Sequence, residues 1–89
     1  MKYVLMDLKR LDSMKNVHSF LEKELEFPEY YGHNLDALYD CLTDIDAPVT
    51  IILMNVPENS DALEGRLEGL LNVFESASTE NSNIVVKTI

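Results

Sequence analysis

The chain has 89 residues, room for one domain with one hydrophobic core. Hydrophobic residues make up 46% of it, and Gly and Pro number three each, which excludes disordered and low-complexity classes. Sixteen acids against seven Lys and Arg give a formal net charge of -9, a surface that repels nucleic acid and anionic membranes and attracts cationic proteins.

Residues 2–6 form a short apolar run rich in strand formers and are expected as a buried strand. Asp12 or Ser13 can cap a helix running to about Glu26, with Val17, Phe20, Leu21 and Leu25 on its buried side. Pro28 stops it, because the residue ahead of a proline is pushed out of helical geometry. Residues 29–33 make a short loop, and Asn34 then caps a helix from Leu35 to about Thr43. Val49–Met54 is apolar apart from Thr50, the pattern of a strand buried on both faces of a parallel sheet. Pro57 and Ser60 stand near the start of a short helix, and Gly65 marks a break. A longer helix follows to about Glu80, burying Leu67, Leu70, Leu71 and Phe74 at i, i+3, i+4 and i+7. Residues 81–83 turn the chain into a last strand, Ile84–Thr88. This alternation predicts a single α/β domain over residues 1–89. It has a three-stranded parallel sheet, right-handed crossovers and about four helices.

Charge is distributed unevenly. No Lys or Arg stands between Lys23 and Arg66, an interval that holds Glu24, Glu26, Glu29, Asp36, Asp40, Asp44, Asp46, Glu58, Asp61 and Glu64. In the second helix Leu35, Leu38 and Leu42 share one face. Asp36, Asp40 and Asp44 line the other at i, i+4 and i+8, with Thr43 beside them and Tyr39 at the boundary. Each such like-charge pair costs roughly 0.2–0.5 kcal/mol, and the helix holds no cation to offset it. The helix dipole favours Asp36 and disfavours Asp44. An acidic helix face is ordinarily a solvated face. Here Tyr30 and Tyr31 precede it, aromatics of the kind enriched at interfaces, so the segment from Tyr30 to Asp44 reads equally as a docking surface.

Catalytic and metal chemistry find little support. Asp36 and Asp40 offer too few oxygens for a hard cation, so no metal is expected. Cys41 is the only cysteine, which excludes an internal disulfide. It lies toward the apolar side of its helix, where a free thiol is a small buried hydrophobe rather than a nucleophile served by His18 or His33. His33 is expected at the surface or on the rim of a contact, and Gly65 and Gly69 form no phosphate-binding loop. Acyl carrier proteins, another small acidic class, present a serine at the start of an acidic helix; the matching residues here are Asn34-Leu35-Asp36. The first apolar run is broken by Asp7, too early for a signal peptide or a membrane span. A binding protein of the reducing cytoplasm is the expectation, with no cofactor and no enzymatic activity.

One segment is specific. Pro28-Glu29-Tyr30-Tyr31-Gly32-His33-Asn34-Leu35-Asp36-Ala37-Leu38-Tyr39-Asp40-Cys41-Leu42-Thr43 closely resembles the barstar family of intracellular ribonuclease inhibitors. That family's pattern is Pro-Glu-Tyr-Tyr-Gly-x-Asn-Leu-Asp-Ala-Leu-aromatic-Asp-Cys-Leu-Thr. The rest agrees more loosely, with Pro48 before the second strand and Val73-Phe74 in the last helix. The resemblance implies a barstar-like fold, a monomer, and a one-to-one complex with a basic extracellular-type ribonuclease, with neither nucleic acid nor membrane as partner. It implies contacts from Tyr30, Asn34, Asp36, Tyr39, Asp40 and Thr43, and adds Asp44 and Glu80 at the rim. Asp40 is central, its carboxylate standing in for a substrate phosphate among the nuclease's Arg and His side chains. An acidic adaptor for another basic protein or toxin is the alternative.

The departures from the pattern fall around this centre. Asp44 replaces a helix-ending glycine, which puts a left-handed C-cap in doubt. Tyr39 and Ile45 replace tryptophans, Ser76 replaces a glutamate that reaches the nuclease (Glu75 is adjacent), and Ser82 replaces a second cysteine. The resemblance also makes Ala47-Pro48 a candidate cis peptide.

Overall fold

The computed structural model describes residues 2–59 and 61–89. Ser60, expected near the start of the third helix, lies outside the described residues. The elements are β1 (Lys2–Asp7), α1 (Met14–Glu24), α2 (Leu35–Thr43), β2 (Val49–Met54), α3 (Ala62–Gly65), α4 (Leu67–Glu80) and β3 (Ile84–Thr88). The three strands form one parallel sheet in the order β1-β2-β3, with Val4 opposite Ile51 and Ile51 opposite Val86. This is the α/β architecture the alternation of elements predicts.

Strand order equals chain order, and with crossovers of the usual right hand this topology lays the helices on one face of the sheet. The burial pattern agrees. Val4, Met6, Val49, Ile51, Leu53 and Ile84 point into a core completed by Val17 and Leu21 of α1, Leu38 and Leu42 of α2, and Leu67, Leu70, Phe74 and Ala77 of α4. The opposite face carries Tyr3, Leu5 and Val85, all exposed. Two-sided burial therefore holds only in part: Thr50 is buried and Ile52 and Met54 half-buried, because neighbouring strands shield β2 while no helix of the described residues covers that face.

Local chemistry sets the boundaries. Ser13 caps α1, its hydroxyl accepting from Asn16 N at 3.1 Å, and α1 ends at Glu24, two residues short of expectation. Leu25 N donates to Leu21 O and Phe27 N to Glu22 O, a double closure that needs a left-handed residue between them. Glu26 supplies it, at φ 55. Phe20, Leu25 and Leu71, expected in the core, are only half-buried, while His18 and Leu63 are buried. In α3, Leu63 and Glu64 are themselves left-handed, and Glu64 Oε1 accepts from Met14 N at 3.1 Å, closing the start of α1. At the mouth of the sheet, Asn55 Nδ2 donates to Asp7 Oδ1 at 2.9 Å and ties the ends of β1 and β2. None of the peptide bonds of the described residues is cis, so Ala47-Pro48 is trans.

Candidate protein-docking face

Helix α2 packs on α4 and presents its acidic side outward. Its entry is held by Asn34, whose Oδ1 accepts from Ala37 N at 2.8 Å while Nδ2 donates to Gly32 O at 3.2 Å. A Cβ at Gly32 would stand 3.0 Å from Asn34 Nδ2, so any larger residue there would push on the capping amide by a few tenths of an ångström. Asn34, expected as a contact residue, is thus already engaged as an N-cap. The Thr43 hydroxyl is likewise turned back, donating to Tyr39 O and Asp40 O at 3.0 Å each.

The exit of α2 is closed from a distance. Asp44 is the C-cap with right-handed dihedrals (φ -87, ψ -8), so the left-handed cap is absent. Asn81, at the end of α4, replaces it. Its Nδ2 donates to Leu42 O at 3.0 Å, Thr43 O at 3.3 Å and Ile45 O at 2.8 Å, and Asn83 Nδ2 adds a bond to Ile45 O at 3.3 Å. Asn81 Oδ1 in turn accepts from Asn83 N at 3.0 Å. These bonds satisfy the carbonyls that a helix end leaves without partners. Sequence reading passed over Asn81 as a turn residue, and no local signal marks it, because its acceptors lie some 36–39 positions away.

The two tyrosines ahead of α2 part company. Tyr30 is 88% exposed, whereas Tyr31 is 6% exposed and faces α1, so only Tyr30 is available to a partner. The Tyr31 hydroxyl shares a buried hydrogen bond with His18 Nδ1, and its ring lies 4.9 Å from that of Phe27 and 5.0 Å from that of His33. His33 Nε2 meets Glu22 Oε1 at 3.0 Å. Burial pushes the Tyr31 phenol well up from its usual range, so it stays neutral. Burial, then the neighbouring His33, hold the His18 imidazole below its usual value. The effect is to pin the loop to α1 through the His18–Tyr31 and His33–Glu22 contacts. Sequence reading weighed His18 only as a base, although its place one residue after Val17 on the buried side of α1 was the available signal.

The carboxylates are left free. Among the described residues, those of Asp36, Asp40, Asp44 and Glu80 make no hydrogen bond or ion pair with another side chain, and all four residues are exposed. A four-residue step on a helix is about 6 Å, so three of them form a row along α2. Two clefts flank it. One, of about 470 Å³, lies between the turn at residues 25–28 and the C-terminal half of α2, and is lined by Tyr30, Asp40, Cys41 and Asp44 among others. The other, of about 320 Å³, lies between α2 and α4 and is lined by Tyr39, Glu75, Ser76, Thr79 and Glu80. Tyr39, half-buried, and Asp40 thus form a ridge between two acidic hollows. Cys41 is half-buried, and burial followed by the Asp44 and Asp40 carboxylates pushes its thiol up, away from the nucleophilic thiolate. Among the described residues no cluster of three or more His, Cys, Asp or Glu is placed to hold a metal ion, and no helix is long and apolar enough to cross a membrane.

A small parallel α/β domain with an unneutralised acidic face centred on one helix is the class of protein this geometry defines. The chain matches the family described as Barstar (barnase inhibitor) over residues 1–88, and it belongs to that family. It is also similar to a Bacillus subtilis (strain 168) protein described as "Putative ribonuclease inhibitor YrdF", 36% identical over 81 residues that cover 90% of this chain and 89% of the relative.

Proposed function

We propose that this protein inhibits a basic secreted-type ribonuclease inside the producing cell, in a one-to-one complex in which the loop and α2 block the nuclease active site. The observation that carries the reading is the row Asp36, Asp40 and Asp44, carboxylates with no hydrogen-bond or ion-pair partner among the described residues. A row of this kind costs stability unless something cationic meets it, and a ribonuclease cleft, built to hold phosphates, is such a partner. Asp40 takes the central phosphate position, Asp36 pairs with further cations, Tyr30 and Tyr39 supply aromatic contact, and Asp44 and Glu80 form the rim. Membership of the family and the name of the Bacillus subtilis relative support the ribonuclease as partner.

The test is inhibition of barnase, and of basic ribonucleases from the source organism, by the parent protein and by Asp40→Ala. Truncating Asp40 strands cations buried on the nuclease and should weaken binding by several kcal/mol, as charge pairs in this family's own reference complex do. Inhibition should also weaken steeply as salt is raised. A variant that inhibits as well as the parent removes Asp40 from the site. The competing reading, an acidic adaptor for another basic protein or toxin, draws on the changed rim at Asp44, Ile45 and Ser76. Capture of a non-nuclease partner, with no ribonuclease inhibited, would replace the first reading with the second.

A further inference from the structure

The cleft beside the C-terminal half of α2 has a composition that selects its occupant. Its apolar lining comes from Leu25, Phe27, Pro28 and Ile45, all half-buried, together with the half-buried Cys41. The exposed Tyr30 and the exposed carboxylic residues Glu26, Asp40 and Asp44 complete the lining. No basic side chain lines it. We propose that this cleft receives an arginine side chain of the partner, its aliphatic stem on the apolar lining and its guanidinium between Tyr30 and the Asp44 and Glu26 carboxylates.

The proposal rests on the inhibitor reading, because Tyr30 and Asp40 belong both to the cleft and to the docking face. It adds a second point of recognition and makes Asp44 and Glu26 specificity determinants. The chemistry excludes other occupants. An anion is repelled by three acids, and a purely apolar group would desolvate carboxylates without compensation. A lysine carries its charge as a point, whereas a planar guanidinium can stack on an aromatic face and engage carboxylates in bidentate fashion. Two independent features bring the charges to the same hollow. Asp40 and Asp44, one helical turn apart on α2, both line the cleft beside Cys41. Glu26 occupies the left-handed closing position of α1, where glycine is the usual residue, and lines the same cleft from the other side of it.

The probe is N-acetyl-arginine methylamide, titrated into the whole ¹⁵N-labelled protein at low ionic strength and followed by two-dimensional NMR. N-acetyl-citrulline methylamide, of the same shape without the charge, is the control. The arginine compound should shift the amides of Glu26, Tyr30, Asp44 and Ile45 in a saturable way, and the citrulline compound should not. Asp44→Asn, a change at an exposed carboxylate with no structural bond, should weaken the arginine response by roughly two- to fivefold, the equivalent of one exposed ion pair. Equal shifts from both compounds, shifts spread evenly over every acidic residue, or an unchanged Asp44→Asn titration would overturn the proposal. No nuclease enters the measurement, so its failure is distinct from failure of inhibition by the parent protein.

Discussion

Replacing Asn81 by alanine tests whether the exit of α2 is held from outside the helix. The substitution removes donors to Leu42 O at 3.0 Å and Ile45 O at 2.8 Å, a weaker one to Thr43 O at 3.3 Å, and the acceptor for Asn83 N. Each net hydrogen bond is worth about 0.5–1.5 kcal/mol, and a carbonyl left dry costs more. These carbonyls are only partly buried, so water takes up some of the loss. The sum is about 2 kcal/mol. In a domain of this size that lowers the melting temperature by roughly 8–16 °C. Asn81→Asp should be worse than Asn81→Ala, because it turns a carboxylate toward carbonyl oxygens at the negative end of a helix dipole. Urea unfolding followed by far-ultraviolet circular dichroism measures both, and the slope should not change, since no large surface is exposed. A loss below about 0.5 kcal/mol for alanine, or aspartate as the milder change, would refute the argument that Asn81 caps α2.

His18 is held below its usual titration range by burial and by His33, so the unfolded chain takes up a proton before the folded one. Stability is therefore full above about pH 6.5 and falls as pH drops from there toward the lowered folded value. His18→Asn, which keeps a polar atom near the Nδ1 position that meets Tyr31, should flatten that part of the pH–stability curve; a slope unchanged from the parent would assign it to other groups. Gly69 sits inside α4, where a Cβ would come 2.9 Å from Leu35 Cδ1. That methyl is the end of a flexible, half-buried side chain, so Gly69→Ala should keep most of the roughly 0.8–1.0 kcal/mol of helix propensity and raise the urea midpoint. A fall in the midpoint would show that Gly69 sets the distance between α2 and α4.

What could be read from the sequence was what short-range chemistry decides. Asn34 ahead of Leu35, the i, i+3, i+4, i+7 leucines of α4 and the apolar run of β2 each declare their element within a few residues, and the order of elements then yields the parallel sheet. Tyr30 and Tyr31 show the limit. They are the same residue type at adjacent positions of one loop, and their opposite fates depend on His18, thirteen residues from Tyr31 in α1. The exposed face of Tyr3, Leu5 and Val85 was hidden for a related reason: a strand's own residues do not say whether helices cover one side of a sheet or both. The early end of α1 turns on Glu26 accepting a left-handed conformation that its side chain does not favour.

The acidic row along α2 was legible as a pattern, but not the means by which the fold tolerates its last member. A carboxylate at the C-terminal end of a helix opposes the dipole, and a non-glycine residue there resists the usual left-handed closure. Both difficulties are reduced because the closing function has moved to Asn81: the carbonyls of Leu42, Thr43 and Ile45 are satisfied by an amide from α4's end, and Asp44 keeps right-handed dihedrals without strain. Residue 44 is thereby freed from backbone duty. A side chain can stand where the family pattern has none, and the one present is a carboxylate beside Asp40 at the mouth of a cleft. The cap supplied by one helix thus leaves the neighbouring helix free to carry a side chain at residue 44, at the edge of the candidate docking face, while Asp36 and Asp40 stay on regular helix.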